Sequence, residues 1–212
     1  MSVLINDEAF ASELISQRRA AGIDRYDEVW EGIYIMSPIA NNEHQSLATE
    51  LSGSLMTVID WKGLGRTLAG ANVSDRKEDW TTNYRIPDVL VFLNETFAQD
   101  CGTHWFGGPD FAVEIVSPGD RTLEKLGFYA SAGTRELLVI DRDPWQMTLY
   151  RLSNSKKLLP VAVSSVSQKA SIRSDVLPIC LLLQLEPPCI RLTHTDQRLI
   201  RDIPIRLNTA LG

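Results

Sequence analysis

Cysteine and histidine are scarce in this chain of 212 residues, with three of each. The cysteines, Cys101, Cys180 and Cys189, are odd in number and no two have the short spacing of a zinc knuckle. Neither a disulfide framework nor a cysteine-built zinc site is expected, and three reduced thiols are the reading. Positive charge is also short: 21 Lys and Arg stand against 27 Asp and Glu, a net charge of −6. A protein that grips nucleic acid over a broad face carries a basic footprint, and the chain as a whole lacks one. No apolar run approaches the roughly 20 residues of a membrane-spanning helix. Met1 to Asp7 show no basic segment followed by an apolar one, so no secretory signal is expected and a cytoplasmic location follows by elimination. Missing too are a glycine-rich loop ending in Lys-Ser or Lys-Thr, a Gly-x-Ser-x-Gly elbow and a His-Glu-x-x-His helix. Kinases, triad hydrolases and zinc proteases are therefore disfavoured.

The rest of the composition is that of a folded protein, with 44% hydrophobic and 23% charged residues. That is too apolar for a disordered chain, and the length suits one domain. Charge is unevenly spread. Residues 1–150 hold 12 basic and 23 acidic side chains, whereas residues 151–212 hold 9 and 4. A local basic surface near the C-terminus is one reading and a mixed solvated surface the other. Carboxylates gathered for a metal would also make the first part acidic.

Periodicity predicts a helix over Asp7 to Ala21, with Phe10, Leu14 and Ile15 apolar. Tyr26 to Met36 reads as a hairpin turning at Glu31-Gly32 and ended by Ser37-Pro38. Asn42 is the expected cap of a second helix bearing Leu47, Leu51, Leu55, Val58 and Ile59, which stops before Gly63. Strands are expected at Thr67 to Val73, Ile86 to Leu93 and Phe111 to Val116, the last broken by Ser117-Pro118-Gly119. Asp75 to Asn83 and Asp100 to Asp110 read as loops. Arg121 to Ala132 reads as a helix closed by Gly133. Strands follow at Glu136 to Ile140 and Met147 to Leu152, then shorter ones. From Thr193 onward a loose tail or an extra edge strand is expected. The five tryptophans read as core or loop anchors. This order describes a mixed sheet flanked by helices, of the α/β (α+β) class.

Two acids stand where acids are costly. Asp88 opens an apolar strand, and Glu114 lies inside Phe111-Ala112-Val113-Glu114-Ile115-Val116. Alternation puts Glu114 on one face with Ala112 and Val116, and Phe111, Val113 and Ile115 on the other. A buried carboxylate requires a partner or a metal. For Glu114 an ion pair with Arg85 or Lys125 is the structural alternative, and for Asp88 it is the capping of local amides. If the two strands are neighbours, the two carboxylates converge, a donor set suited to Mg²⁺ with its retained water.

Several segments, in order, carry a resemblance. They are Tyr26-Asp27-Glu28-Val29-Trp30-Glu31-Gly32, Met36-Ser37-Pro38 followed by His44, Arg85-Ile86-Pro87-Asp88-Val89, and Val113-Glu114-Ile115-Val116-Ser117-Pro118. Glu124-Lys125, Tyr129, Gly133 and Leu138-Val139-Ile140-Asp141 complete the set. Together they resemble the PD-(D/E)xK nuclease superfamily, and within it a large bacterial family of restriction-endonuclease-like domains of unknown function. The resemblance spans residues 24–185, inside one such domain over 1–212 with a tail from 193. It implies hydrolysis of phosphodiester bonds in DNA with Mg²⁺ or Mn²⁺, by a homodimer. Asp88, Glu114 and the Ile115 carbonyl would hold the metal. The superfamily's lysine two positions after the glutamate is absent, and Val116 stands there; Lys125 is the natural substitute, positioning water or stabilising the transition state. Glu28 would add a carboxylate unless it is a surface acid of the hairpin. His44 would touch a metal-bound water or a phosphate unless it serves the helix start. The second reading is a catalytically inactive module that binds nucleic acid or a protein partner.

Overall fold

A computed structural model describes residues 8–37, 40–117, 119 and 121–207. Asp7, Pro38 and Pro118, read above as a helix start and two strand breakers, lie outside the described residues, as does the tail from 208. The chain opens with α1 (Glu8–Ala20), β1 (Glu28–Trp30) and β2 (Ile33–Ile35). Then α2 (Asn42–Val58) leads through a 3₁₀ turn to β3 (Gly65–Ala69), β4 (Val73–Ser74), β5 (Tyr84–Arg85) and β6 (Val89–Leu93). After β7 (Gln99–Asp100), β8 (Trp105–Phe106) and β9 (Phe111–Ile115), a 3₁₀ turn at Thr122–Lys125 runs into α3 (Leu126–Ala132). Three long strands follow, β10 (Glu136–Arg142), β11 (Trp145–Leu152) and β12 (Leu158–Ser165). The last four are β13 (Ile172–Arg173), β14 (Ile179–Leu185), β15 (Pro188–His194) and β16 (Leu199–Pro204).

The central sheet has the order β12-β11-β10-β9-β6-β3. It is mixed: β9 and β10 pair in parallel, connected across one face by the Thr122–Lys125 turn and α3, while its other pairings are antiparallel. The expected fold class is the one observed. Side-chain alternation separates two apolar layers. On one face Phe111, Val113 and Ile115 pack with Leu47, Leu51, Leu55 and Val58 of α2. Ile179, Leu181, Ile190 and Leu192 of the sheet β13-β14-β15-β16 join the same cluster. On the other face Leu90, Phe92, Ala112, Leu137 and Val139 meet Phe128 and Tyr129 of α3. A small sheet, β2-β1-β5-β4-β8-β7, holds the hairpin. Its turn at Glu31 and Gly32 has φ of 47° and 83°, the positive values a two-residue hairpin needs.

Several expectations are corrected. Asn41, not Asn42, caps α2: its backbone is extended and its side chain accepts the His44 N–H at 3.0 Å. Thr67 to Val73 is not one strand, because Gly70 at φ 63° turns the chain from the central sheet to the small one. The strand expected from Ile86 starts at Val89, since Tyr84-Arg85 belongs to the small sheet and Ile86-Pro87-Asp88 crosses between sheets. The loop expected over Asp100 to Asp110 contains β8. In the helix expected from Arg121, Thr122–Lys125 form a 3₁₀ turn and the α-helix starts at Leu126. Gly133 closes α3 at φ 89°, as expected. The tail contributes an edge strand, β16, to the last sheet. Trp145 is a core residue, but Trp61 is 75% exposed and anchors nothing.

Candidate active site

Strand register brings the two acids side by side. Val89 of β6 pairs antiparallel with Val113 of β9. One step outward on each strand stand Asp88 and Glu114, and both share the parity of Leu90 and Ala112, the α3 face. Asp88 Oδ2 accepts the Ile115 N–H at 2.7 Å. Its Oδ1 lies 2.8 Å from His44 Nε2, and His44 Nδ1 is 3.2 Å from Ser117 Oγ. His44 reaches Asp88 because the start of α2 is fastened to the ends of β9 and β10. Arg142 donates to Asn41 Oδ1 and Glu43 Oε2, each at 3.0 Å, and to the Val116 carbonyl at 3.3 Å.

Glu114 is 3% exposed. Lys125 Nζ donates to both its oxygens at 3.1 Å and to Glu28 Oε1 at 3.0 Å. Tyr129 Oη donates to Glu114 Oε1 at 2.5 Å. Lys125 and Tyr129 are four residues apart, so one side of the turn and helix presents both groups to one carboxylate. Glu28 is also buried, and accepts from the Ile86 N–H at 2.9 Å and Trp30 Nε1 at 2.7 Å. Burial pushes the Glu114 carboxyl up to about 8, the nearby Asp88 and Glu28 push the same way, and Lys125 and the Tyr129 hydroxyl oppose them. Burial and the adjacent Glu114 carboxylate hold the Tyr129 phenol well above its usual range. Beside this cluster the Arg85 guanidinium lies 4.5 Å from the Trp30 ring centroid and 4.3 Å from that of Phe128.

Of the residues expected from sequence, Glu28, Glu114 and Lys125 are thus in direct contact, and His44 contacts Asp88. Asp88 touches β9 through the Ile115 amide. The ion-pair alternative for Glu114 is present with Lys125, not Arg85. Glu28 is not a surface acid, because the hairpin folds inward over Lys125. His44 sits at a helix start, the alternative weighed for it, and also faces Asp88. Sequence reasoning gave Tyr129, Trp30 and Arg142 no role. For Tyr129 the four-residue spacing from Lys125 was the available signal, and for Trp30 its place two residues from Glu28 in the hairpin; for Arg142 there was none, since its contacts with Asn41 and Glu43 are long-range. Of the C-terminal basic residues, Arg151, Arg191, Arg198 and Arg201 are in ion pairs, with Glu136 and Asp175, Asp202, Asp196 and Glu50.

Among the described residues no three His, Cys, Asp or Glu side chains form a metal cage. Mg²⁺ does not require one, since it commonly takes one or two carboxylates and keeps several waters. Asp88 and Glu114 fit that donor set: two hard oxygen ligands, Glu114 in β9 and Asp88 just before the neighbouring β6, the former buried so that its carboxyl resists ionisation.

A mixed sheet with acids meeting at the β6–β9 pairing, and a lysine returned from the 3₁₀ turn that follows, is the arrangement expected of a restriction-endonuclease-like domain. The chain belongs to the Uma2 family, described as "Putative restriction endonuclease", whose model matches residues 16–186. A solved structure from Anabaena variabilis, described as "a putative nuclease belonging to DUF820", shares the fold with a TM-score of 0.56. It is 18% identical, and the match covers 70% of this chain and 80% of that one. No curated protein matches the chain.

Proposed function

We propose that this protein is a divalent-metal-dependent endonuclease that hydrolyses phosphodiester bonds in DNA. The observation that carries the reading is the contact of Lys125 with Glu114 at 3.1 Å beside Asp88, which restores the cation missing from position 116. In this reading Asp88, Glu114 and the Ile115 carbonyl bind Mg²⁺ or Mn²⁺. The ion would supply Lewis acidity and a water of lowered pKa. Lys125 holds positive charge where charge develops on the phosphate, a preorganised form of transition-state stabilisation. Glu28 and Tyr129 fix Lys125 and Glu114 in place, and His44 orients Asp88 through its Nε2. The reading includes a homodimer, so that two sites meet two strands, and a cytoplasmic location with access to DNA; no helix among the described residues is long and apolar enough to cross a membrane.

Titration calorimetry of Mn²⁺ and Mg²⁺ into the wild type, Asp88→Ala and Glu114→Ala tests the reading. Binding by the wild type that disappears in both variants, with cleavage of plasmid DNA lost in parallel, supports it. Absence of binding by the wild type with DNA present overturns it and leaves the inactive binding module.

A further inference from the structure

The sheet face that carries Glu114 continues sideways into a cleft of about 290 Å³. Its floor consists of residues directly opposed on β10 and β11, Val139 with Thr148 and Asp141 with Gln146. Tyr150 bounds one side and Val116 the other. The roof is the turn of Arg121 to Glu124, which also delivers Lys125. Val139 is the register partner of Glu114, so the floor begins one strand spacing, about 4.8 Å, from that carboxylate. Val116 occupies the position where the superfamily pattern has lysine. A lysine there would fill the near end of the cleft; valine leaves it open and apolar.

Two side-chain oxygens in this cleft are acceptors to spare, beside the buried Thr122 hydroxyl, which has no hydrogen-bond partner among the described residues. Asp141 Oδ1 accepts the Asp143 N–H at 3.0 Å, and its other oxygen has no hydrogen-bond partner among the described residues. Gln146 Nε2 donates to Thr148 Oγ1 at 3.3 Å, which leaves the amide oxygen and the second N–H without a hydrogen-bond partner among the described residues. Val116, Val139 and the Tyr150 ring offer flat apolar contact of the kind that takes a base face. The volume lies at the lower end of small-molecule sites, about 300–1,000 Å³, and suits one nucleoside.

We propose that this cleft is the subsite for the nucleobase beside the scissile phosphate, and that it selects a base with an exocyclic amino group. The two N–H bonds of a cytosine 4-amino group satisfy Asp141 and Gln146 together. The 4-oxo group of uracil or thymine sets lone pair against carboxylate. The inference rests on the nuclease reading, but its test needs neither metal nor turnover.

The test is an NMR titration of backbone amides in chelator with deoxycytidine 5′-monophosphate and deoxyuridine 5′-monophosphate, which differ in carrying a 4-amino group beside an acceptor N3 or a 4-oxo group beside N3–H. The cytosine nucleotide is expected to shift amides within residues 139–150 and to bind at least about fivefold more tightly. Asp141→Asn keeps an oxygen for the Asp143 N–H and turns an amide donor to the cleft, so the preference should reverse. Equal affinities, shifts confined to residues outside the cleft, or an unchanged preference in Asp141→Asn would each overturn the proposal. Discrimination in a protein that binds no metal supports the subsite and removes the nuclease reading. Metal binding without discrimination does the opposite.

Discussion

Replacing Lys125 by methionine isolates the electrostatic part of the site, because methionine keeps most of the side chain's length and removes the ammonium. Lys125 lies between two buried carboxylates, 3.0 Å from Glu28 and 3.1 Å from Glu114. Breaking a buried pair by removing one partner costs about 3–5 kcal/mol, chiefly through the charge left without compensation. For a chain of this size that corresponds to a drop of roughly 6–20 °C in the unfolding midpoint, at about 2–4 °C per kcal/mol. The loss should depend on pH. A carboxyl whose folded-state pKa is raised contributes stability that is complete below its unfolded value and lost as pH rises through the folded one. Without Lys125, which opposes the effect of burial, the carboxyl of Glu114 is raised further. Below about pH 8 the folded-state Glu114 carboxyl is protonated with or without Lys125, so the variant should lose more at pH 9 than at pH 6. Urea unfolding in chelator at the two pH values reads this directly, with Arg198→Ala, which breaks an exposed pair, as the control expected to change little. A loss below about 1 kcal/mol at pH 9, or an equal loss at both pH values, would refute the reasoning.

Glu114→Gln removes the group held up to about 8, so the wild type's decline in metal-free stability as pH rises from 4.5 through about 8 should flatten in this variant. Melting temperatures across that range, in chelator, check the slope. Asn41→Ala removes the cap of α2 and a partner of Arg142, and should cost at least about 1 kcal/mol by denaturant unfolding. Gly53→Ala replaces an exposed glycine inside α2 whose added methyl meets nothing within 4 Å, and should stabilise by about 0.4–1 kcal/mol in the same assay.

The sequence alone determined the local grammar of this protein. Period-two alternation placed Glu114 with Ala112 and opposite Val113 and Ile115, and the two apolar clusters divide along that line. Helical spacing marked Leu47, Leu51, Leu55 and Val58 as one buried face, since these patterns depend only on the pitch of a helix and the pleat of a strand. The ordered motifs also identified the family and the acids at positions 88 and 114. Tertiary structure alone decided what those acids touch. Lys125 is 11 residues from Glu114 and 97 from Glu28, and the three meet because the parallel crossover lays its turn across β9 while the hairpin folds over it. Gly70 and Pro87 assign adjacent stretches to different sheets, a choice fixed by which edges are left to pair and not by propensity. The cleft beside Val116 was invisible for the same reason. Its floor belongs to residues on different strands, and only their register puts Asp141 against Gln146.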